Sequence, residues 1–231
     1  MTSCAIYVVN YKDDERRERV TQRVKTIGME AHFVAPVSTE DPRIKDQPIT
    51  VFEKRNWSIF FQHADSMRNF CENTTFDYCI ICEDDVVLSR TLKTQIPDII
   101  SLYDKSELDI LLLSYLWPYD LPENNYFPVM MQTDDWKIHG YPDDLWGAHM
   151  YFMSRKHAKV LVDRYTPEYA LSETQAGRPF CTDWQFTKFG KRGLIVPMVG
   201  LEEGEVKTDH QGQIDFHRAV FKHHYREDKF I

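Results

Sequence analysis

Three consecutive carboxylates, Glu83-Asp84-Asp85, follow directly on the apolar run Tyr78-Cys79-Ile80-Ile81-Cys82. At an effective dielectric near 20, like charges about 5 Å apart repel by about 3 kcal/mol per pair, so a buried strand ending this way calls for a cation or heavy solvation. Hard oxygen donors with no Cys or His ligand beside them favour Mg2+ or Mn2+ over Zn2+. The plainer alternative is a solvated acidic turn or a helix cap, though such turns seldom follow so apolar a strand. If the extended backbone continues past Cys82, Glu83 and Asp85 point one way and Asp84 the other. The CxxC spacing of Cys79 and Cys82 puts two sulfurs on opposite faces of that strand, which suits core thiols and not a shared metal.

Positioning those carboxylates requires a sheet. Ala5-Ile6-Tyr7-Val8-Val9 is a short continuous apolar run, the pattern of a strand covered on both faces. Asp13 or Asp14 can cap a helix through Thr26, with Val20, Val24 and Ile27 on one face and Gly28 at its stop. A strand over 31–35 and a polar loop over 38–54 follow. Trp57, Phe60, Phe61, Ala64 and Met67 or Arg68 then sit at helical spacing, with Asn56 as cap and Asn73 as end. After the strand over 76–82 come a helix over 91–103, weakened by Pro97, and a strand over 109–113. Alternation of this kind predicts a doubly wound, mainly parallel α/β sheet flanked by helices, whose ligands bind beyond the carboxyl ends of the strands. Asn10 and Glu83 lie just past two such ends. Beyond Ser114 the pattern loosens into a loop-rich half. It contains a long Trp117–Pro142 stretch, strands over 145–153 and 194–199, a helix from Ser154 to Tyr165, a turn or helix over 182–190, and a polar tail from Gly200. The whole reads as one domain over 1–231.

Composition narrows the function. The chain has 231 residues, 28 Lys and Arg against 36 Asp and Glu, and a formal charge of −8. That balance disfavours nucleic acid, which wants a basic stripe. No apolar run approaches the ~20 residues of a membrane span. Met1-Thr2-Ser3-Cys4 lacks the basic flank and apolar core of a signal peptide, and five unevenly spaced cysteines read as reduced thiols. A cytoplasmic location is the expectation, host cytoplasm if the source is viral.

Four segments resemble glycosyltransferase family 25, which contains lipooligosaccharide galactosyltransferases and collagen glycosyltransferases. Ile6-Tyr7-Val8-Val9-Asn10 followed by Glu15-Arg16-Arg17-Glu18-Arg19 looks like its opening strand and arginine-rich helix. Ile80-Ile81-Cys82-Glu83-Asp84-Asp85-Val86 looks like its metal motif, with Cys82 where Leu or Phe is usual. Gly147 to Ala158 is similar to its aromatic, apolar, Ser-Arg-x-x-Ala segment, and Pro179-Phe180-Cys181-Thr182-Asp183-Trp184 to its later Pro-x-x-Asp element. Order and spacing agree over about residues 4–200, although the Trp117–Pro142 loop matches nothing in the family. Compact viral glycosyltransferases with a single GT-A domain are a second close comparison.

The resemblance implies a GT-A-like fold with a nucleotide-sugar-binding half over about 1–113, an acceptor half over about 114–200 and a tail over 201–231. It implies inverting transfer of a hexose from a UDP-sugar to a glycan or glycoconjugate hydroxyl, with Mn2+ or Mg2+. Asp85 would ligate the metal directly, and Glu83 or Asp84 would bind ribose or complete the shell through water. Asn10 and Tyr11 would meet uracil and ribose, with Arg16 or Arg17 nearby, unless those arginines form a solvated helix face. Trp146 and Gly147 would adjoin the donor, Gly147 by letting backbone approach closely. His210 or His217 would supply a further metal ligand. Asp183 would be the base, its alternative role being the N-cap of a helix over 184–188 and Thr182 a competing cap; Asp143 and Asp144 stand in reserve. Trp117, Trp136, Trp146 and Trp184 could offer faces to acceptor sugars. Two other classes remain open: a Mg2+-dependent phosphohydrolase or nucleotidyltransferase using the same carboxylates, and a non-catalytic module that binds nucleotide or glycan. The chain lacks a Walker-type loop and an Asp-x-Asp-x-Thr nucleophile motif.

Overall fold

A computed structural model describes residues 3–206 and 208–231. Met1 and Thr2, on which the reading of the amino terminus partly rests, lie outside the described residues. In chain order the elements are β1 (Cys4–Val9), α1 (Asp14–Thr26), β2 (Ala31–His32), α2 (Val51–Asn73), β3 (Tyr78–Glu83), β4 (Val86–Leu88), α3 (Leu92–Lys105), β5 (Ile110–Leu112), β6 (Val129–Gln132), β7 (Lys137–His139), β8 (Met150–Ser154), α4 (Arg155–Arg164), α5 (Pro167–Gln175), α6 (Thr182–Gln185), β9 (Arg192–Val196), β10 (Gly200–Glu202) and α7 (Gln211–His224).

Eight strands form one sheet in the order β2-β1-β3-β8-β5-β9-β7-β6. β1 runs parallel to β2 and β3, and β5 parallel to β9. β8 is antiparallel to both β3 and β5, and β7 to both β9 and β6. All strands of this sheet but β8 and β7 therefore point the same way, which is the mainly parallel α/β arrangement expected. Simple alternation did not foresee the reversed β8 wedged between β3 and β5.

Side chains of alternate residues leave opposite faces of a strand, and the core divides accordingly. Tyr7, Cys79 and Ile81 join Trp57, Phe60 and Phe61 of α2 and Leu161 of α4 on one face. Ile6, Val8, Ile80 and Cys82 join Val20 and Val24 of α1 and Leu92 and Ile99 of α3 on the other. Cys79 and Cys82 are thus on opposite faces, both free thiols in the core.

Several boundaries depart from expectation. α2 begins at Val51 and not after Asn56, because Thr50 and Glu53 close a reciprocal capping box. The backbone turns after Glu83, so the carboxylates do not continue in extended alternation. The segment after Gly200 is built into the fold: β10 pairs antiparallel with β4, and Ser89 bridges to Phe230. Among the described residues no helix is long and apolar enough to cross a membrane.

Candidate active site

β1 and β3 are parallel neighbours with Val9 opposite Glu83, so Asn10 and the acidic triplet emerge together at the carboxyl edge of the sheet. The buried Asn10 donates from Nδ2 to Asp84 Oδ2 at 2.6 Å and to Asp13 O at 2.8 Å. Gln62 of α2 donates to Asn10 O at 2.7 Å. Both amide hydrogens of Asn10 are thereby committed to protein, and its evident task is to hold Asp84. Arg16, on the first turn of α1, points into the same place. Its Nη1 lies 3.3 Å from Asp84 Oδ1 and 2.9 Å from Asp85 Oδ2. One turn and two turns further on, Arg19 and Arg23 both pair with Glu203.

The triplet is therefore divided by the turn. Asp84 and Asp85 share Arg16, whereas Glu83 faces His63, whose Nε2 lies 3.7 Å from Glu83 Oε1. This replaces the expected pairing of Glu83 with Asp85 on one side. Asp85 Oδ1 is buried and has no hydrogen-bond partner. Burial, then Asp183, Asp84 and Glu202, push Glu83 up to about 8; burial, then Glu83 and Glu202, push Asp85 up to about 8, with Arg16 opposing both. Glu83 keeps 35% of its side chain open to water against 14% for Asp85, so the confinement of Asp85 is the more severe.

Glu202 is a functional candidate that the sequence reading passed over as part of a polar tail. Strand β10 sets it opposite Val86, beside the acidic turn. The run from Leu194 to Leu201 ending in Glu202-Glu203 repeats the signal that marked Glu83, an apolar strand running into carboxylates. Burial works to raise Glu202, but the hydrogen bond from His217 Nδ1 at 2.9 Å and the pull of His217 and His149 hold it below the usual carboxylate range. Ser114 Oγ and His149 Nε2 lie 2.7 Å apart behind it. His63 is fully buried, its Nδ1 2.9 Å from the Tyr151 hydroxyl, and burial pushes it down to about 3, which makes it neutral.

Asp183 lies near enough to Glu83 to raise it more than any other neighbouring charge. It is not a helix cap: Cys181 holds the N-cap position of α6, with no side-chain cap bond. Instead Asp183 Oδ1 accepts from the backbone N–H groups of Gly147 at 2.8 Å and Ala148 at 2.9 Å, while Oδ2 accepts no hydrogen bond among the described residues. Gly147 has a packing reason of its own. A Cβ there would come within 3.0 Å of Tyr115 Cα and 3.1 Å of Ser114 O, so the close approach it permits is to this chain's own backbone. Beside Asp183, the exposed Trp146 pairs with Trp184 at 5.1 Å between ring centroids. Lys188 reaches over Trp184 and donates to Leu145 O, and burial lowers it to about 8.

The remaining expectations fall as follows. Tyr11 is exposed, and Arg17 lies over the Phe33 ring at 3.9 Å on the outer side of α1. Asp143 is paired with Arg192, and Asp144 accepts from the Tyr126 hydroxyl. His210 is the N-cap of α7, its side chain accepting from Gln213 N at 3.4 Å in an exposed setting. The tail histidine that meets the acidic cluster is His217, through Glu202.

Oxygen donors and the unpartnered Asp85 Oδ1 fit a hard divalent cation, which commonly takes one or two carboxylates and completes its shell with water and phosphate oxygens. Among the described residues no three His, Cys, Asp or Glu side chains form a ready-made cage. The fit is therefore at Asp85 Oδ1, with the rest of a shell left to water and to oxygens that a substrate would bring.

No family model matches the chain, and no curated protein matches it. Among solved structures it is similar to a glycosyltransferase involved in glycosylation of the major capsid of PBCV-1. That likeness has 12% identity and a TM-score of 0.46, and covers 94% of this chain and 100% of that one. A mutant Drosophila β1,4-galactosyltransferase 7 in complex with manganese, UDP-Gal and xylobiose is similar at 13% identity and TM-score 0.35, covering 93% and 79%. A UDP-glucose pyrophosphorylase complexed with UDP-glucose is similar at 11% identity and TM-score 0.39, covering 96% and 99%.

Proposed function

We propose that the chain is an inverting, metal-dependent glycosyltransferase of the kind that family 25 and the compact viral GT-A enzymes represent. It would move a hexose from a UDP-sugar to a glycan or glycoconjugate hydroxyl. The observation that carries this reading is the buried, unpartnered Asp85 Oδ1 in a carboxylate cluster at the carboxyl edge of the sheet, with Asp183 near Glu83 and fixed through Oδ1 by two backbone N–H groups.

In this reading Asp85 and Glu83 hold the metal, and His210 has no part. Mn2+ or Mg2+ held there would supply positive charge against the departing diphosphate. Asn10 and Arg16 fix Asp84 and Asp85 against each other's repulsion, and the exposed Tyr11 would meet the nucleoside, which Arg17 would join only by leaving the Phe33 ring. Asp183, oriented through Oδ1, takes the acceptor hydroxyl proton on Oδ2 as the hydroxyl oxygen bonds the anomeric carbon and the sugar–phosphate bond breaks. The exposed Trp146 offers a face to a sugar ring beside that oxygen. Residues up to about 113 would then serve the donor and those from about 114 the acceptor, with Glu202 and His217 returning to the donor side.

The test is a hydrolysis and transfer screen with several nucleotide sugars, in Mn2+ and in EDTA. UDP-sugar turnover that EDTA abolishes supports the proposal. Phosphate release from simple esters moves the chain to the phosphohydrolase class, and metal-dependent UDP binding without turnover of any donor makes it a binding module.

A further inference from the structure

A cavity of about 870 Å3 opens at the carboxyl ends of β5 and β9, bounded by the β6–β7 turn, the start of α3 and the chain's last residues. None of Glu83, Asp84, Asp85, Arg16 or Asp183 lines it. It is separated from the acidic cluster by one layer: Ser114 bonds His149 on one side and contacts Met198 Sδ at 3.9 Å, and Met198 lines the cavity.

Two buried polar groups line this space without protein partners. Tyr115 is 2% exposed, and its hydroxyl makes no hydrogen bond among the described residues. His139 is also 2% exposed, and its Nδ1 lies 2.9 Å from Phe127 O. A carbonyl can only accept, so Nδ1 carries the proton there, and Nε2 is left without a partner. Neither atom is wholly shut off from solvent, and both residues line the cavity. Polar groups on the wall of a hollow that no protein group engages are available to a ligand that displaces water there.

The rest of the lining indicates the chemistry. Five carboxylates and four Lys or Arg side chains face the cavity, among them Asp134, Asp135 and Arg226. Such a balance gives little net attraction for a strongly charged ligand of either sign. It offers acceptors and donors side by side, which is what hydroxyl groups need, since each both donates and accepts. The volume lies in the range that encloses a ligand of several rings. We propose that this cavity is a carbohydrate site for a neutral oligosaccharide, holding a part of the acceptor glycan remote from the reacting hydroxyl. The assignment to an acceptor rests on the glycosyltransferase reading; the binding itself does not.

The experiment titrates the full chain with maltotriose, cellotriose and chitotriose, read by amide NMR shifts and tryptophan fluorescence. UDP with Mn2+ is titrated separately into the same preparation. At least one trisaccharide is expected to saturate, with shifts at Tyr115 and His139. Tyr115→Phe removes only an oxygen that has no protein partner, so it should melt with wild type yet bind the sugar roughly tenfold more weakly. His139→Asn keeps an N–H toward Phe127 O and deletes Nε2, and should weaken binding similarly. No saturation by any trisaccharide up to about 20 mM, far weaker than the millimolar edge of useful affinity, overturns the proposal. So does unchanged affinity in both variants, which would place the sugar elsewhere, for instance on Trp146. Sugar binding without UDP binding would remove the glycosyltransferase reading and leave this site standing; UDP binding without sugar binding does the reverse.

Discussion

Asp85 turns one oxygen to Arg16, 2.9 Å from Nη1, and buries the other where nothing bonds it. One guanidinium thus offsets a cluster that also contains Glu83, Asp84 and Glu202, and the cluster remains short of positive charge. A divalent ion would supply what Arg16 does not.

Removing Arg16 should expose that shortage. Arg16→Met keeps the stem of the side chain and deletes its charge, leaving Asp84 and Asp85 confined without a counter-ion. Stripping one partner from a buried pair costs about 3 kcal/mol, less here because both partners keep some contact with water. Melting in EDTA should drop by several degrees, and added Mn2+ should restore much of the loss. Equal melting of variant and wild type in EDTA would show that Arg16 does not hold the carboxylates.

Stability of the metal-free protein should peak near pH 6.5. Glu83 and Asp85 are raised from ordinary values of 4.5 and 3.8 to about 8, Asp85 the more firmly, so above those ordinary values the fold keeps protons that the unfolded chain has released. Their contribution is lost as pH rises toward 8. His63 and His149 run the other way: burial lowers them from 6.5 to about 3 and 4, and His157 and His224 are lowered too. The unfolded chain takes up protons that these imidazoles refuse, so their contribution is lost as pH falls below 6.5. Mn2+ should flatten the alkaline side, since a bound cation takes the place of the protons. A melting temperature that climbs steadily from pH 6.5 to 8 without metal would refute this assignment of charge.

What was legible in the sequence followed from periodicity. The runs at Ala5–Val9 and Ile80–Cys82 named two strands, and Val20 and Val24 named the buried face of α1, because each pattern reports a local backbone repeat. The reversal of β8 was not legible, since a strand's direction depends on how far its connection travels and Met150–Ser154 reads the same either way. In the site, Glu83-Asp84-Asp85 and Asp183 were visible as residue types. The division of the triplet by Arg16 and His63 was not, because it comes from a turn and two helices distant in sequence. Glu202 was missed for a similar reason: its burial depends on β10 finding β4, more than a hundred residues earlier.

The start of α2 offers a local check. Thr50 Oγ1 accepts from Glu53 N at 3.2 Å, and Thr50 N donates to Glu53 Oε2 at 2.6 Å. Thr50→Ala should destabilise the fold by about 1 kcal/mol, read by urea denaturation with an unchanged slope. If Asn56 were the real cap, Thr50→Ala would have no effect and Asn56→Ala the larger one.

Asp183 separates chemistry from architecture most sharply. Asp183→Asn keeps an oxygen that can accept from Gly147 N and Ala148 N, so the wall between α6 and the 147–148 segment should survive and melting should hardly change. What it loses is the ability of the second position to take a proton, since Oδ2 becomes an amide nitrogen. If Asp183 is the base, transfer should fall by about 10²–10⁴. UDP affinity in Mn2+ should hold or improve, because one negative charge beside Glu83 has gone. Asp183→Ala behaves differently: it leaves two partly buried N–H groups without an acceptor, at about 1–3 kcal/mol each if they stay dry, and so loses stability along with rate. A purely architectural Asp183 predicts near-normal transfer in Asp183→Asn and a loss only in Asp183→Ala. Normal transfer in the Asn variant would therefore return the search for the base to Asp143 and Asp144, which Arg192 and Tyr126 would first have to release.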